Sequence, residues 1–481
     1  MAGNVINPAP AAIGRPAGPL GLDQEQLAIV IMAVVAVALV LGPLPIVILA
    51  AIGYLAVAIW QPVPALALVI VSVPFIDPVQ LGRLNFGPTE VLILLATLAG
   101  AMRLARALWG PRDKWRWRVF EMKRRSREAM GDSAISILVI LFILAGAVSL
   151  TASVALPQSL RSFRTIIVEP ALFYFLIVTQ VRGRRAITML IGALVLAGVL
   201  ISLVGFWQYA TDRSIITAEA GLRRIRAFYG SPNNLGLFLG RILPFTFSLG
   251  IWWKHSRPFW VATGLIIGIA IILTFSIGAW VGVTCSAFAI AVLAGPRARQ
   301  WALRVAVIGA VVGAIAAWRI PRIGDHFDLR WGTSFIRLEV WQSAARMLAL
   351  HPVRGIGLDN FLYYYQHGYR LPSAWQEPDL SHPHNLIFDF WLSLGLPGLI
   401  LLGFLIGRFA EGIVEYWAMS DWFERGVYAG AVGAILDIVV HGLVDNSFFL
   451  PDLAVLFWLI FAIVGVLQRE QRRRAHLSLR R

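Results

Sequence analysis

His384 and Asn385, then nine residues, then Gly395 and Gly398 form the most chemically suggestive run in the chain. The run opens an apolar stretch of membrane length. At about 100° per residue, both glycines return to nearly the side of the helix that carries His384, roughly three and four turns below it. A polar, titratable side chain thus sits at a helix mouth above a stripe of glycines, where a ligand or a neighbouring helix can approach closely. An imidazole exchanges a proton near neutrality, so general-base chemistry is what such a residue offers. Taken without its context, the same histidine reads as a helix cap or an interfacial side chain.

The elements that hold this residue belong to a membrane. The chain has 481 residues, 58% of them hydrophobic and 14% charged, with a mean hydropathy of +0.73. A soluble domain carries nearer a quarter charged residues. Apolar runs of bilayer length recur, near 27–42, 43–60, 62–77, 88–107, 134–154, 165–180, 186–210, 234–252, 259–275, 277–294, 303–319, 386–407, 427–447 and 452–468. The expected fold is an all-α polytopic membrane protein with about 12–14 transmembrane helices, because the junctions at Gly42-Pro43 and Gln61-Pro62 are tight. The single cysteine, Cys285, rules out an intramolecular disulfide framework and a cysteine-based metal site.

Orientation is read from charge. The loop 108–133 holds Arg112, Lys114, Arg116, Arg118, Lys123, Arg124, Arg125 and Arg127, which makes it cytoplasmic. Arg182, Arg184 and Arg185, then Lys254 and Arg257, then Arg297, Arg299 and Arg304, keep the alternation, and Arg472, Arg473 and Arg474 return the tail to the same side. The reading divides the chain into a flexible cytoplasmic N-terminus (1–26) without a signal-peptide pattern, a membrane domain (27–468) and a basic cytoplasmic tail (469–481). Two segments are left outside, 211–233 and the much longer 320–385. The second has a helical pattern near 334–350 followed by a Gly/Pro-rich portion, as in a small cover with short helices on the membrane surface.

These outer segments break the positive-inside bias. Arg213, Arg223, Arg224 and Arg226 crowd the first; Arg319, Arg322, Arg330, Arg337, Arg354 and Arg370 populate the second; Arg161 and Arg164 lie nearby. The net charge of +16 is otherwise ordinary topology, and a chain this apolar is a poor nucleic-acid binder. One arginine alone is explained by lipid headgroups or by acids such as Asp325 and Asp328. The cluster reads as an anion site, since guanidinium presents a planar fork matched to phosphate. Deeper, Arg241 sits inside the eighth helix, and Asp437, His441 and Asp445 are spaced to share one face. They form either a buried clamp, for example Asp437 with Arg241, or a substrate contact.

Five of the eight histidines, His326, His351, His367, His382 and His384, lie in or at the end of the long outer segment. Zinc on His382, His384 and His367 is the alternative to base chemistry. No carboxylate falls at a familiar ligand spacing and Pro383 stiffens the pair, so the expectation is no metal and no cofactor.

Taken together, these residues resemble the O-antigen ligase and polymerase superfamily of bacterial inner-membrane glycosyltransferases, over roughly 130–470. His384-Asn385 with Gly395 and Gly398 is similar to the ligase signature. Arg226, Gly230, Pro232, Asn233 and Asn234 resemble the family's Arg, Gly and Pro-Asn stretch at a helix entrance. Arg337 with Trp341, and Pro352 with Gly355 and Gly357, are similar to the motifs of its long periplasmic loop. The resemblance implies metal-independent, inverting glycan transfer from undecaprenyl diphosphate to a glycan or a lipid A-core-type acceptor, at the periplasmic face of the inner membrane. Carried onto this chain, His384 is the base and Arg337 and Arg226 neutralise the diphosphate. Arg223, Arg224, Arg241 and Asn385 are substrate contacts, and Asp445 orients an acceptor or pairs with an arginine. Gly395, Gly398 and Trp341 shape the site. Three rivals stay open: a polysaccharide polymerase, a protein O-oligosaccharyltransferase, and, from another class, a flippase for the same lipid. Oligomeric state is not readable.

Overall fold

The computed structural model describes residues 23–75, 79–81, 84–109, 133–217, 223–319, 332–375 and 377–478. The basic residues read between Arg112 and Arg127, together with Arg322, Asp325, His326, Asp328 and Arg330, lie outside the described residues. The chain is an all-α multi-pass membrane protein. Helix is found within each of the fourteen apolar stretches, and among the described residues nine helices are long and apolar enough to cross a membrane.

In chain order the helices are α1 (Gln24–Leu41), α2 (Leu44–Trp60), α3 (Pro62–Ser72), α4 (Pro88–Leu108), α5 (Ser133–Ser149), α6 (Leu156–Gln180) and α7 (Gly183–Thr211). They continue with α8 (Pro232–Gly240), α9 (Leu243–Trp252), α10 (Arg257–Thr274), α11 (Ile277–Ala294), α12 (Pro296–Arg319) and α13 (Gly332–Leu350). The last three are α14 (Leu386–Trp417), α15 (Trp422–Gly442) and α16 (Pro451–Ser478). Two short antiparallel ribbons, Val79–Leu81 with Leu84–Phe86 and Ile216–Thr217 with Arg223–Arg224, decorate the loops. At 11 residues α3 rises only about 16 Å, short of a bilayer core.

The bundle is organised around α16, whose apolar stretch is almost wholly buried, as expected of a helix that is hydrophobic on all sides. It packs on α6, while α15 packs on α9 and α11, and α14 on α5. Small residues permit the closest of these approaches. A Cβ at Gly240 would lie 2.6 Å from Asp437 Oδ2, and one at Gly426 2.9 Å from Leu249. The eighth predicted helix is interrupted: Pro244 cannot donate a backbone N–H, and the chain breaks between α8 and α9 at Arg241 and Ile242.

One end of the bundle carries an aromatic belt in which Trp253 packs on Trp260, Trp422 and Phe423. Arg184 lies over Trp422 and pairs with Asp421, and Arg474 pairs with Glu424. The basic groups around residues 184 and 474 thus share an end, as their alternation requires.

The opposite end is covered by residues 332–385, which have a small core of their own formed by Val340, Met347, Ile356, Phe361 and Tyr365. Backbone and side chains both fix the cover. Ile356 N–H donates to Leu392 O at 2.8 Å, and Leu396 N–H to Val353 O at 2.9 Å. Gly355 (φ 63°) lies against the carbonyls of Trp391 and Leu392, and Gly395 (φ 72°, ψ −179°) against those of Val353 and Arg354. The buried Asn360 carboxamide accepts from Val154 N–H and Ala155 N–H, and donates to Ser159 Oγ, tying the cover to the start of α6.

The glycine stripe therefore needs correcting. Gly395 is the point where α14 leaves helical geometry, two residues before the kink expected at Pro397, and its bare face is filled by the cover's own backbone. Gly398 faces Leu394 of its own helix, as the bend demands. Neither forms a groove for lipid.

Gly395 occupies a backbone region open essentially to glycine alone. Gly395→Ala should cost about 3 kcal/mol or more, lowering the melting temperature in detergent and exposing residues 350–380 to limited proteolysis. An unchanged digestion pattern would contradict the seam.

Candidate active site

His384 is held in a left-handed backbone conformation (φ 51°) just before α14. That turn aims the side chain away from the helix it introduces, and it is a conformation that non-glycine residues adopt at a cost. Asn385 follows as the N-cap. Its carbonyl oxygen accepts from Ile387 N–H and Phe388 N–H, and its amide donates to Leu443 O at 2.9 Å. Both polar ends are committed, so Asn385 braces the site rather than offering a free contact to substrate.

The Leu443 to Leu450 turn beyond α15 supplies the partner. His384 Nδ1 lies 2.9 Å from Asp445 Oδ1. Nδ1–H donates to the carboxylate, which leaves Nε2 with its lone pair, the tautomer a base requires. Burial alone would raise the Asp445 pKa, but the hydrogen bond from His384 and the surrounding imidazoles outweigh it and hold the carboxyl well below the usual carboxylate range. His382, with its ring centroid 4.3 Å from that of His384, is pushed down to about 3, by burial first and by His384 second. Asp445 was expected to orient an acceptor or pair with an arginine; it pairs instead with histidine, across 61 residues.

Asp445 also lines a cavity of about 400 Å³ together with Arg224, Asn233, Ser334, Arg337 and His441. Arg224 is fixed in place, donating from Nε to Thr274 O and from an η nitrogen to Asn233 Oδ1 at 2.9 Å. Arg337, on α13, has no hydrogen-bonding or acidic partner among the described residues. His441 is buried, and its Nδ1 lacks a partner among the described residues. A Cβ at Gly278 would lie 2.5 Å from the His441 ring, so the α11 glycine makes the room this side chain uses. Two guanidinium groups and an imidazole thus line one cavity, an arrangement able to donate hydrogen bonds to an anion and offset its charge.

The other expected contacts lie elsewhere. Arg226 donates from Nε to Ser214 O and does not line the cavity. Arg223 pairs with Asp212 and stacks over Tyr209. Arg164 pairs with Glu90. Arg241, 1% exposed, donates to Leu453 O at 2.7 Å and to Ser447 O, so it secures the turn that carries Asp445. It does this through carbonyls, not through the direct pairing with Asp437 expected above. Trp341 is half-buried on α13, with its indole nitrogen unpartnered among the described residues. Spacing alone puts His441 on the face of Asp437, but its place in the cavity depends on Gly278, 163 residues away in sequence.

Comparison with known families adds one finding. Residues 262–403 match the family model described as O-antigen ligase. The matched span contains α11, Arg337, the cover and the His384 signature. A search of curated proteins gave no match.

Anion binding in this cavity would produce a simple contrast. Inorganic pyrophosphate should raise the melting temperature of the purified protein. Arg337→Ala should weaken that binding about tenfold or more, the loss of a charge-assisted hydrogen bond, whereas Arg226→Ala should leave it nearly intact. Equal losses in the two variants would place the anion outside the cavity.

Proposed function

Starting from the O-antigen ligase superfamily, which the family match supports, we propose that this protein transfers a glycan from undecaprenyl diphosphate to an acceptor hydroxyl at the periplasmic face of the inner membrane. Both termini are then cytoplasmic, and the covered end of the bundle faces outward. The observation that carries this reading is the joining, at Asp445, of a histidine–carboxylate pair to a cavity holding Arg224 and Arg337.

The chemistry follows from these positions. The acceptor hydroxyl gives its proton to His384 Nε2 as its oxygen attacks the anomeric carbon. The bond from that carbon to the diphosphate breaks, and the electron pair leaves on the diphosphate oxygen. Arg337 and Arg224 meet the growing negative charge, and preorganised charge of this kind is commonly the largest catalytic contribution. Asp445 stays ionised and stabilises the imidazolium until the proton passes to solvent. Direct displacement inverts the anomeric centre. His441, facing the same volume, is a further hydrogen-bond donor to the diphosphate.

A base poised beside the anion site favours transfer over flipping, since moving a lipid across the membrane requires no proton acceptor. The acceptor distinguishes a ligase from a polymerase or a protein oligosaccharyltransferase, and the proposal takes the ligase-like case.

The test is transfer by purified protein given a lipid-diphosphate glycan and an acceptor. His384→Ala should abolish it. Asp445→Asn, which keeps the shape but frees the imidazole tautomer, should reduce it by about a hundredfold or more. Arg337→Lys keeps charge but not the fork and should fall at least tenfold. Full transfer by His384→Ala would end the base assignment.

A further inference from the structure

The sequence offers no carboxylate at a familiar ligand spacing from His382 and His384, but the fold supplies one. His382 Nε2 lies 3.9 Å from Asp445 Oδ1 and His384 Nδ1 lies 2.9 Å from it, and one ligand atom from each of the three residues falls within 4.8 Å of the others. Around a tetrahedral zinc with bonds of about 2.0–2.1 Å, ligand atoms stand roughly 3.3 Å apart, so these separations bracket the required edge. The second nitrogen of His382 is already held: Nδ1 lies 3.0 Å from Ser381 Oγ, which leaves Nε2 directed to the carboxylate. Such an outer partner is the usual companion of a metal-binding imidazole. The two histidine side chains are each more than a fifth exposed, so an ion can reach them, whereas the Asp445 side chain is only 4% exposed.

We propose that His382, His384 and Asp445 bind a divalent transition cation of the zinc type, and that its binding switches the enzyme off. The two-nitrogen, one-oxygen donor set suits such an ion better than magnesium or calcium. The consequence for catalysis rests on the reading of His384 as the base. Metal at Nδ1 displaces the proton that Nδ1 donates to Asp445. The neutral ring then carries its hydrogen on Nε2, the nitrogen that must be bare to accept a proton from the acceptor. The same ion takes the carboxylate that stabilises the imidazolium. Cation binding and proton abstraction are therefore mutually exclusive at one imidazole.

The experiment titrates zinc chloride into chelator-stripped, tag-free protein by calorimetry, which needs no activity. Wild type should show one site. His382→Ala and Asp445→Asn should each bind at least tenfold more weakly, with His382→Gln as a second substitution of smaller volume change. Binding in wild type no tighter than in these variants overturns the site. In the transfer assay, wild-type activity should fall in step with zinc occupancy and return with chelator, whereas whatever transfer His382→Ala retains should be insensitive to the same zinc concentrations. Stoichiometric zinc binding without inhibition overturns the tautomer argument, and it is separate from failure of the base assignment, which the His384→Ala assay reads.

Discussion

A single buried guanidinium sets the geometry on which the site depends. Arg241 is enclosed where the chain breaks between α8 and α9, and a charge there must find oxygen. It takes the carbonyls of Ser447 and Leu453 and so fixes both sides of the turn that follows α15. Ser447 Oγ adds a bond to Ile438 O, and Asn446 accepts from Phe449 N–H. Asp445 stands at the head of this locked turn. Its carboxylate presents a fixed acceptor to an imidazole from another helix, and the tautomer of His384 follows. The break at Pro244 is thus linked through four covalent and hydrogen-bonded steps to the tautomer of a residue more than a hundred positions later.

The cover contributes the second half. The motif around Gly355 and Gly357 and the motif around Gly395 and Gly398 are far apart in sequence, yet they are the two faces of one backbone seam. That seam brings α13 over the end of the bundle, which places Arg337 opposite the fixed Arg224. The glycines serve assembly of the site.

Much of the fold was legible because hydropathy over some 20 residues is a strong signal, although the run 234–252 is broken in two and the run 427–447 leaves its helix at Gly442, which puts Asp445 in a turn and not on the helical face its spacing suggested. Pro397 correctly announced a bend in α14, but the position of the bend was decided by the tertiary approach of Val353 to Gly395. The site was legible in part. His384, Arg224 and Arg337 could be picked out because charge on an outer loop and a polar helix mouth are both locally anomalous. Arg223 and Arg226 carried the same local signal and are engaged by Asp212 and Ser214, partners that only a folded loop reveals. The pairing of His384 with Asp445, and the place made for His441 by Gly278, rest on long-range packing that residue spacing does not encode.

That the attachments of the cover lie on its inward side, in a main-chain seam and in buried side chains such as Asn360, has a bearing on how such a protein diversifies. The outward side chains of the cover, including Tyr363 and Trp375, are free to vary without loosening those attachments. Recognition can drift on the upper surface while the reaction centre beneath is inherited unchanged.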